Sequence, residues 1–389
     1  MIDFNNTQIA FSYKSDQELK NAYLLFNAIK NPVLVKFGKF SVNIALGIHF
    51  PLAWAVKPTL YKQFVGGETL EECQKYVDLL MKFNIKSTLD YSAEGEQSVK
   101  GIQSVFKETL SSIDNAKGNE GIAYAVFKPS TLVMDKILSK ASEHKEDLNE
   151  EEEKEFEEFK SRFMALCQRA YDNNVRLLVD AEDCCFQDAL DDLTDEAMRT
   201  FNKERAIVFA TLQMYRHDRM PYLEKIYNDA VEKNYVAGIK FVRGAYMDDE
   251  RERAAKLGYP DPICKNKQAT DDNFNAGVSY VMDHIAKMEL FIGTHNEESN
   301  LAAAKLMNEK GIDRSDKRIF FAQLLGMSDN ISFNLAKADY NVTKYVPYAP
   351  VRDVLPYLLR RVEENTSMAG QTTRELNMIK LEVERRKRV

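Results

Sequence analysis

The sequence predicts an α/β chain whose eight parallel strands close into a (β/α)8 barrel, and three observations predict it. Short apolar runs recur from about residue 85 onward, helical periodicity fills the longer stretches between them, and each run leads from apolar residues into polar, chemically capable ones. Alternation of strand-like and helix-like segments specifies parallel strands joined by helical crossovers. Eight such units suit a closed barrel. A doubly wound open sheet is the alternative for the same alternation.

In chain order, the first element is an N-terminal arm. "MIDFNNTQIAFSYKSDQELKNAYLLF" has acids early and no basic start followed by an apolar core, so no signal peptide is expected. "SVNIALGIHFPLAWAVKP" is the most apolar stretch, but His49 and Pro51 interrupt it short of about 20 residues. It reads as a buried or surface-attached helical segment rather than a membrane span. The strand-like runs follow. "IKSTLDYS" ends in Asp90 with Glu94 beyond, "IAYAVFKPS" in Lys128, and "VRLLVDAE" in Asp180 and Glu182. "AIVFATLQMY" ends in Gln213 and Tyr215, while "VAGIKFVRGAY" carries Lys240, Arg243 and Tyr246. "MELFIGTHN" ends in Thr294, His295 and Asn296, "RIFFAQLLGM" in Gln323, and "TKYVPYAP" in Tyr345. Between the second and third runs, "NEEEEKEFEEFK" looks like low complexity. Phe156, Phe159 and Phe163 nevertheless recur at helical spacing, so an amphipathic helix with an acidic outer face is expected, and a binding tail is the weaker reading. Last comes "YLLRRVEEN". At about 100° per residue it sets Tyr357, Arg360, Arg361 and Glu364 on one helical face, and Leu358, Leu359 and Val362 on another. That polar face is either a solvated stripe of charge pairs or a bidentate anion clamp.

Composition excludes several classes. A net charge of −7 in 389 residues argues against a nucleic-acid polyanion as main partner. Five cysteines (Cys73, Cys167, Cys184, Cys185 and Cys264), with no C-x-x-C spacing, point to a reducing compartment and no structural zinc. The adjacent Cys184 and Cys185 are expected as buried small hydrophobes, not a redox pair. Polar strand ends in a barrel converge on its C-terminal rim, where such folds keep their active sites. Each alone has a structural explanation: Asp180 could cap a helix, His295 could be a satisfied core histidine, Gln213 could bond a loop. All eight together are harder to dismiss. Of five histidines only His295 stands at a strand end, so a histidine-rich metal site lacks ligands and no metal is expected. No nucleophile elbow, P-loop or G-x-G-x-x-G occurs. Lys128 or Lys240 could form a Schiff base. Otherwise the ring offers cations for an anionic ligand and no obvious nucleophile, which makes a cofactor the bearer of the chemistry.

The strings "LDYSAEG", "VDAE", "TLQMY", "KFVRGAYMDDE", "ATDDNFN", "GTHN", "FAQLLGM" and "KYVPYAPVRDVLPYLLRRVEEN" occur in that order. Together they resemble the motifs of the FAD-dependent proline dehydrogenases from about residue 60 to 370. The resemblance implies a distorted (β/α)8 barrel (residues 61–389) behind an N-terminal helical arm (residues 1–60), with a last helix over the barrel mouth. By the same resemblance Arg360 and Arg361 clamp the proline carboxylate with Lys128, and Leu324, Tyr345 and Tyr357 wall the ring. Asp180 matches the active-site aspartate, and Lys240 the residue near flavin N5. Ala181, Gln213, Arg243, Gly244, Ala245, Thr294 and His295 match cofactor contacts, and Lys267 and Glu364 match contacts to the adenosine half. Glu94 matches a carboxylate that pairs with Arg360 as a gate. Two positions depart from the family pattern: Ala349 stands where glycine is usual, and Met247 replaces an aromatic.

The implied reaction is oxidation of L-proline to Δ1-pyrroline-5-carboxylate by hydride transfer to N5 of non-covalent FAD, with electrons passing to a quinone. Tyr345 near C4 of the ring implies preference for proline over trans-4-hydroxy-L-proline. The implied setting is a bacterial cytoplasm with peripheral membrane contact, and the second step of proline breakdown is expected on another chain. A Schiff-base lyase or aldolase using Lys128 or Lys240, and a binding protein for a small carboxylate, are the alternatives.

Overall fold

The computed structural model describes residues 2–31, 33–36, 53–93, 98–143, 147–367 and 369–388. Its strands are β1 (Ile85–Tyr91), β2 (Ile122–Phe127), β3 (Arg176–Val179), β4 (Val208–Gln213), β5 (Ala237–Val242), β6 (Met288–Gly293), β7 (Ile319–Leu324) and β8 (Val342–Tyr348). They follow one another in sequence order around a closed barrel, which excludes the open sheet. The principal helices from β1 onward are α1 (Val99–Ala116), α2 (Glu150–Asn173), α3 (Cys184–Phe201), α4 (Arg219–Glu232), α5 (Met247–Leu257), α6 (Lys267–Asp283), α7 (Glu297–Glu309), α8 (Asp329–Lys337), α9 (Val351–Ser367) and α10 (Ala369–Lys387). By contacts the chain divides into two compact units, residues 96–322 and residues 1–95 with 323–389.

Within residues 96–322, parallel ladders join β2 through β7, with Thr211 beside Lys240 and Lys240 beside Phe291. β4 is buried along its whole length, as expected of a strand covered on both faces. The ring of Tyr124 meets Phe209, Phe291 and Phe320 edge-on at 5.0–5.3 Å. Arg176, paired with Glu289 at 2.8 Å, lies over both Tyr124 and Phe320. The acidic run does form a helix. Asn149 and Glu152 make a reciprocal capping box at the start of α2, and Phe156, Phe159 and Phe163 are buried.

Within the other unit, β1 pairs in parallel with β8 from Ile85↔Val342 to Tyr91↔Tyr348. An N-terminal helix, Asp16–Ile29, starts with a capping box between Ser15 and Glu18. It buries Leu19, Ala22, Phe26 and Ile29 in one cluster with Val354, Leu355, Leu358 and Val362 of α9 and Met378 and Ile379 of α10. Lys344 and Asp329, both buried, pair at 2.9 Å, and the Tyr13 hydroxyl donates to Asp329 at 2.7 Å. Among the described residues, no helix is long and apolar enough to cross a membrane. Most of the apolar segment read as helical, including His49 and Pro51, lies outside the described residues.

Candidate active site

The polar groups at the ends of β3, β4 and β5 are drawn together by the barrel ladder. The Asp180 N–H continues the β2–β3 pairing by donating to Phe127 O at 3.1 Å, which fixes the first residue past β3. Lys240 points from within β5, where it is buried, and its Nζ donates to Asp180 Oδ1 at 2.5 Å. Two residues later, Glu182 organises the neighbouring turns. It accepts from Ser130 Oγ at 2.7 Å, from Ser130 N at 3.2 Å and from the Tyr246 hydroxyl at 3.3 Å. Its own carbonyl accepts from Gln213 Nε2 at 2.7 Å, and its N–H donates to Gln187 Oε1 at 2.9 Å. Burial pushes the Glu182 carboxyl up to about 7, against the opposing pull of the Ser130 hydrogen bonds and the Lys128 charge. Lys128, half-buried, precedes a short turn, Pro129–Leu132, and its carbonyl accepts from Thr131 Oγ1 at 2.6 Å. Ala181, between the two carboxylates, is half-buried.

A second constellation surrounds Arg243, just past β5. Its guanidinium donates from Nε to Asp271 Oδ1 at 2.8 Å, from Nη1 to Thr294 Oγ1 at 2.5 Å and from Nη2 to Ser299 Oγ at 3.0 Å. It lies over the Phe274 ring at 4.5 Å. Asp271 also accepts from Lys267 Nζ at 2.5 Å. Burial would raise the Asp271 carboxyl, but the hydrogen bonds from Lys267 and Arg243 outweigh it and hold the group below its usual range. The exposed pair Gly244–Ala245 leads into Tyr246, which caps α5. Gly244 has φ +125°, a left-handed conformation that an L side chain rarely adopts. His295 is half-buried in the turn after β6, and Asn296 caps α7.

In the other unit, Tyr345 and Tyr357 are buried, Leu324 packs partly against the apolar cluster, and Arg361 lies over the Tyr357 ring at 5.1 Å. This is the i,i+4 neighbourhood expected of "YLLRRVEEN". Arg360 is exposed, whereas Leu358 and Val362 face the core. Glu94 and the Glu364 side chain lie outside the described residues.

Three expectations need correction or refinement. Tyr345 does not end its strand but sits in the middle of β8, because pairing with β1 continues through Asp90↔Pro347 to Tyr91↔Tyr348. Cys73, Cys167 and Cys264 are buried, but Cys184 and Cys185 are only half-buried. They open α3, where Asp183 caps the helix by accepting from Cys185 N at 3.0 Å, and Cys184 Sγ donates to the same carboxylate at 3.3 Å. A first helical turn stands partly clear of the core, so the pair is polar-bonded rather than packed as hydrophobes. Burial, with Asp183 and Glu250 adding, pushes the Cys184 thiol up to about 11, which keeps it protonated near neutrality. Ala349 is not among the residues of positive φ, so it replaces glycine there without strain. Its carbonyl accepts from Tyr61 at 3.0 Å.

Asp271, Ser130 and Ser299 were not among the expected site residues, and Glu182 was expected only as a polar strand end, with no role of its own. Asp271 lies within "ATDDNFN" and Glu182 within "VDAE", so the motifs contained them. Their role as partners to Arg243 and Gln213 emerges only from the fold.

A closed (β/α)8 barrel with paired charges gathered at its strand ends has the architecture of barrel enzymes, whose sites lie on that rim. The family model for proline dehydrogenase matches residues 73–374. The chain is 33% identical over 323 residues to the carbapenem antibiotics biosynthesis protein CarD of Pectobacterium carotovorum subsp. carotovorum, covering 83% of each. It is 42% identical over 242 residues to the mitochondrial proline dehydrogenase 1 of Homo sapiens, covering 61% of this chain and 40% of that protein. The fold is that of proline utilization A from Bdellovibrio bacteriovorus, with a TM-score of 0.72 at 20% identity, covering 92% of this chain and 38% of that one. The chain belongs to the proline dehydrogenase family. It spans about two fifths of the human relative's length.

Proposed function

We propose that the protein oxidises L-proline to Δ1-pyrroline-5-carboxylate, using non-covalently bound FAD in the barrel of residues 61–389 and passing electrons to a quinone. When bound, FAD supplies the hydride acceptor. The observation that carries the reading is the pairing of buried Lys240 with half-buried Asp180 at 2.5 Å, set beside a Gln213 amide already committed to Glu182. Gln213 spends its N–H on the Glu182 carbonyl, so its oxygen is left to accept from an imide N–H, the donor a flavin pyrimidine offers. Asp180 fixes the position of the Lys240 ammonium, which would supply a rigid cation to the reacting part of a bound flavin. Arg243, tied down by Asp271, Thr294 and Ser299, stands next to the start of α5 and would supply the positive charge for a phosphate there, since the first turn of α5 carries Asp248, Asp249 and Glu250. Ala181, Gly244, Ala245, Thr294, His295, Lys267 and Glu364 complete the cofactor contacts in this reading.

The family resemblance is what assigns Lys128, Arg360 and Arg361 to the substrate carboxylate and Leu324, Tyr345 and Tyr357 to the ring. Fixing the carboxylate presents one ring carbon for reaction, and positioning of this kind can account for several kcal/mol of barrier. Three cations around the substrate also favour its neutral amine, whose lone pair assists hydride departure. A Schiff-base mechanism at Lys240 is disfavoured because a carbonyl would have to displace Asp180 from the amine first.

The test is the absorbance spectrum of the purified, folded protein, followed by acid precipitation and proline-dependent reduction of a dye acceptor. Flavin bands, FAD in the acid supernatant and proline-dependent dye reduction are expected. A folded protein that neither carries nor takes up flavin would overturn the reading. Flavin retained on the precipitated chain would overturn its non-covalent part.

A further inference from the structure

Glu250 is fully buried on the first turn of α5, beyond every residue assigned above. A carboxylate is costly to bury unless its oxygens are used. Both are: Oε1 accepts from the Tyr215 hydroxyl, and Oε2 accepts from Arg216 Nη1 at 3.0 Å. Arg216 is held in turn by a bidentate pair with Asp218 at 3.1 and 2.7 Å.

Tyr215 is the link. Its N–H donates to Arg243 O at 2.9 Å, so its backbone extends the β4–β5 pairing to the residue before Gly244. Its ring occupies the space a side chain at Gly244 would need, since a Cβ there would fall 1.2 Å from Tyr215 Cε1. The ring therefore lies flush against the turn of residues 243–246, and the hydroxyl at its far end is tethered by Glu250. The turn is held from beneath by one aromatic plate, whose hydroxyl is anchored by Glu250 and by the Tyr246 backbone. Glu250 N also donates to Tyr246 O at 2.9 Å, which makes the turn and its tether one closed unit.

We propose that Glu250 is a positioning residue for the cofactor: it locks the Tyr215 ring under Gly244 and so preorganises the 243–246 turn to receive the phosphate portion of the flavin. The ligand's identity rests on the flavin reading above. The mechanical coupling does not, and it is measured separately, by amide hydrogen exchange across residues 243–248 in flavin-free protein.

Three full-length variants test it. Glu250→Ala removes both acceptors, Tyr215→Phe keeps the ring and deletes only the tethered hydroxyl, and Glu250→Gln keeps an acceptor for that hydroxyl. A hydrogen bond to a charged group of this kind corresponds to about tenfold or more in an equilibrium constant. Tyr215→Phe should therefore weaken FAD binding by about tenfold, and exchange in the turn should speed up by a similar factor while the β4 and β5 amides stay protected. Glu250→Ala should do the same or more, and Glu250→Gln should recover most of the wild-type values. A role confined to stability would lower the melting temperature and leave both measurements unchanged in the folded fraction. Should Glu250→Ala not fold, Tyr215→Phe decides alone. Wild-type exchange and FAD affinity in a folded Tyr215→Phe protein would overturn the proposal. Absence of FAD binding by the wild type, with fast exchange in the variants, would remove the flavin reading but leave the tether standing.

Discussion

Replacing Glu182 by glutamine should make the protein more stable at pH 8 and leave it nearly unchanged near pH 4. Glu182 is 5% exposed, and burial raises its carboxyl from 4.5 to about 7 in the folded chain. Below the unfolded-state value both states are protonated, and the residue imposes no penalty. As pH rises toward 7, the unfolded chain gives up its proton while the folded chain keeps it. Stability is therefore lost across that window, and above it the loss is constant. The rise from 4.5 to about 7 sets a ceiling of about 3 kcal/mol on the loss. Glutamine has nearly the same shape. Its amide oxygen can accept from Ser130 Oγ and N as Glu182 Oε1 does, and it carries no charge to bury. The buried Glu375 is raised in the same direction, but it is present in both proteins and cancels in the difference. Urea unfolding of wild type and Glu182→Gln at intervals from pH 4.5 to 8 gives that difference directly. It should grow with pH in favour of the variant, by up to about 3 kcal/mol, and level off above 7. A difference independent of pH, or one that grows in favour of the wild type, would refute the burial argument.

Asp180→Ala removes the carboxylate that Lys240 Nζ donates to, so it should destabilise by about 1–3 kcal/mol, and adding Lys240→Met should recover part of that in a denaturation double-mutant cycle. Tyr345→Ser should narrow the preference for L-proline over trans-4-hydroxy-L-proline by about 1–3 kcal/mol, read from kcat/KM for the two substrates, and equal ratios in wild type and variant would contradict the assigned role. Arg360→Met, on the exposed side of α9, should leave the melting temperature within a few degrees and raise KM for proline by roughly tenfold or more, as loss of one arm of a charge-assisted clamp requires.

What could be read in advance follows the range of the forces involved. The strands were legible because each is a run of apolar residues bounded by turn chemistry, and that pattern depends on neighbours along the chain. The α2 phenylalanines were legible for the same reason, since helical period alone predicts which face is buried. The Arg361–Tyr357 contact, an i,i+4 pair, belongs with them. The end of β8 was misplaced because the tail of that strand is held by its partner: β1 reaches Tyr91, so β8 continues past Pro347 to Tyr348. Partner choice was the least legible. Arg243 could be expected at the cofactor loop, but the acid that aims it, Asp271, lies on α6 and reaches Arg243 only because the chain after β5 folds back. The same holds for Glu182, whose two neighbours in the site, Ser130 and Gln213, come from the ends of β2 and β4. Strand-end position marks which residues can act. Which carboxylate is burdened by burial, and which is relieved by a cation, is decided by packing between strands. Glu182 and Asp271 therefore shift in opposite directions although both are buried acids within quoted motifs: Asp271 hydrogen-bonds to Arg243 and Lys267, while Glu182 bonds a serine and a tyrosine hydroxyl, and the Lys128 charge does not offset its burial. That contrast gives them different work: Asp271 is an anion that orients Arg243, and Glu182 is a group that changes charge near neutrality beside Gln213.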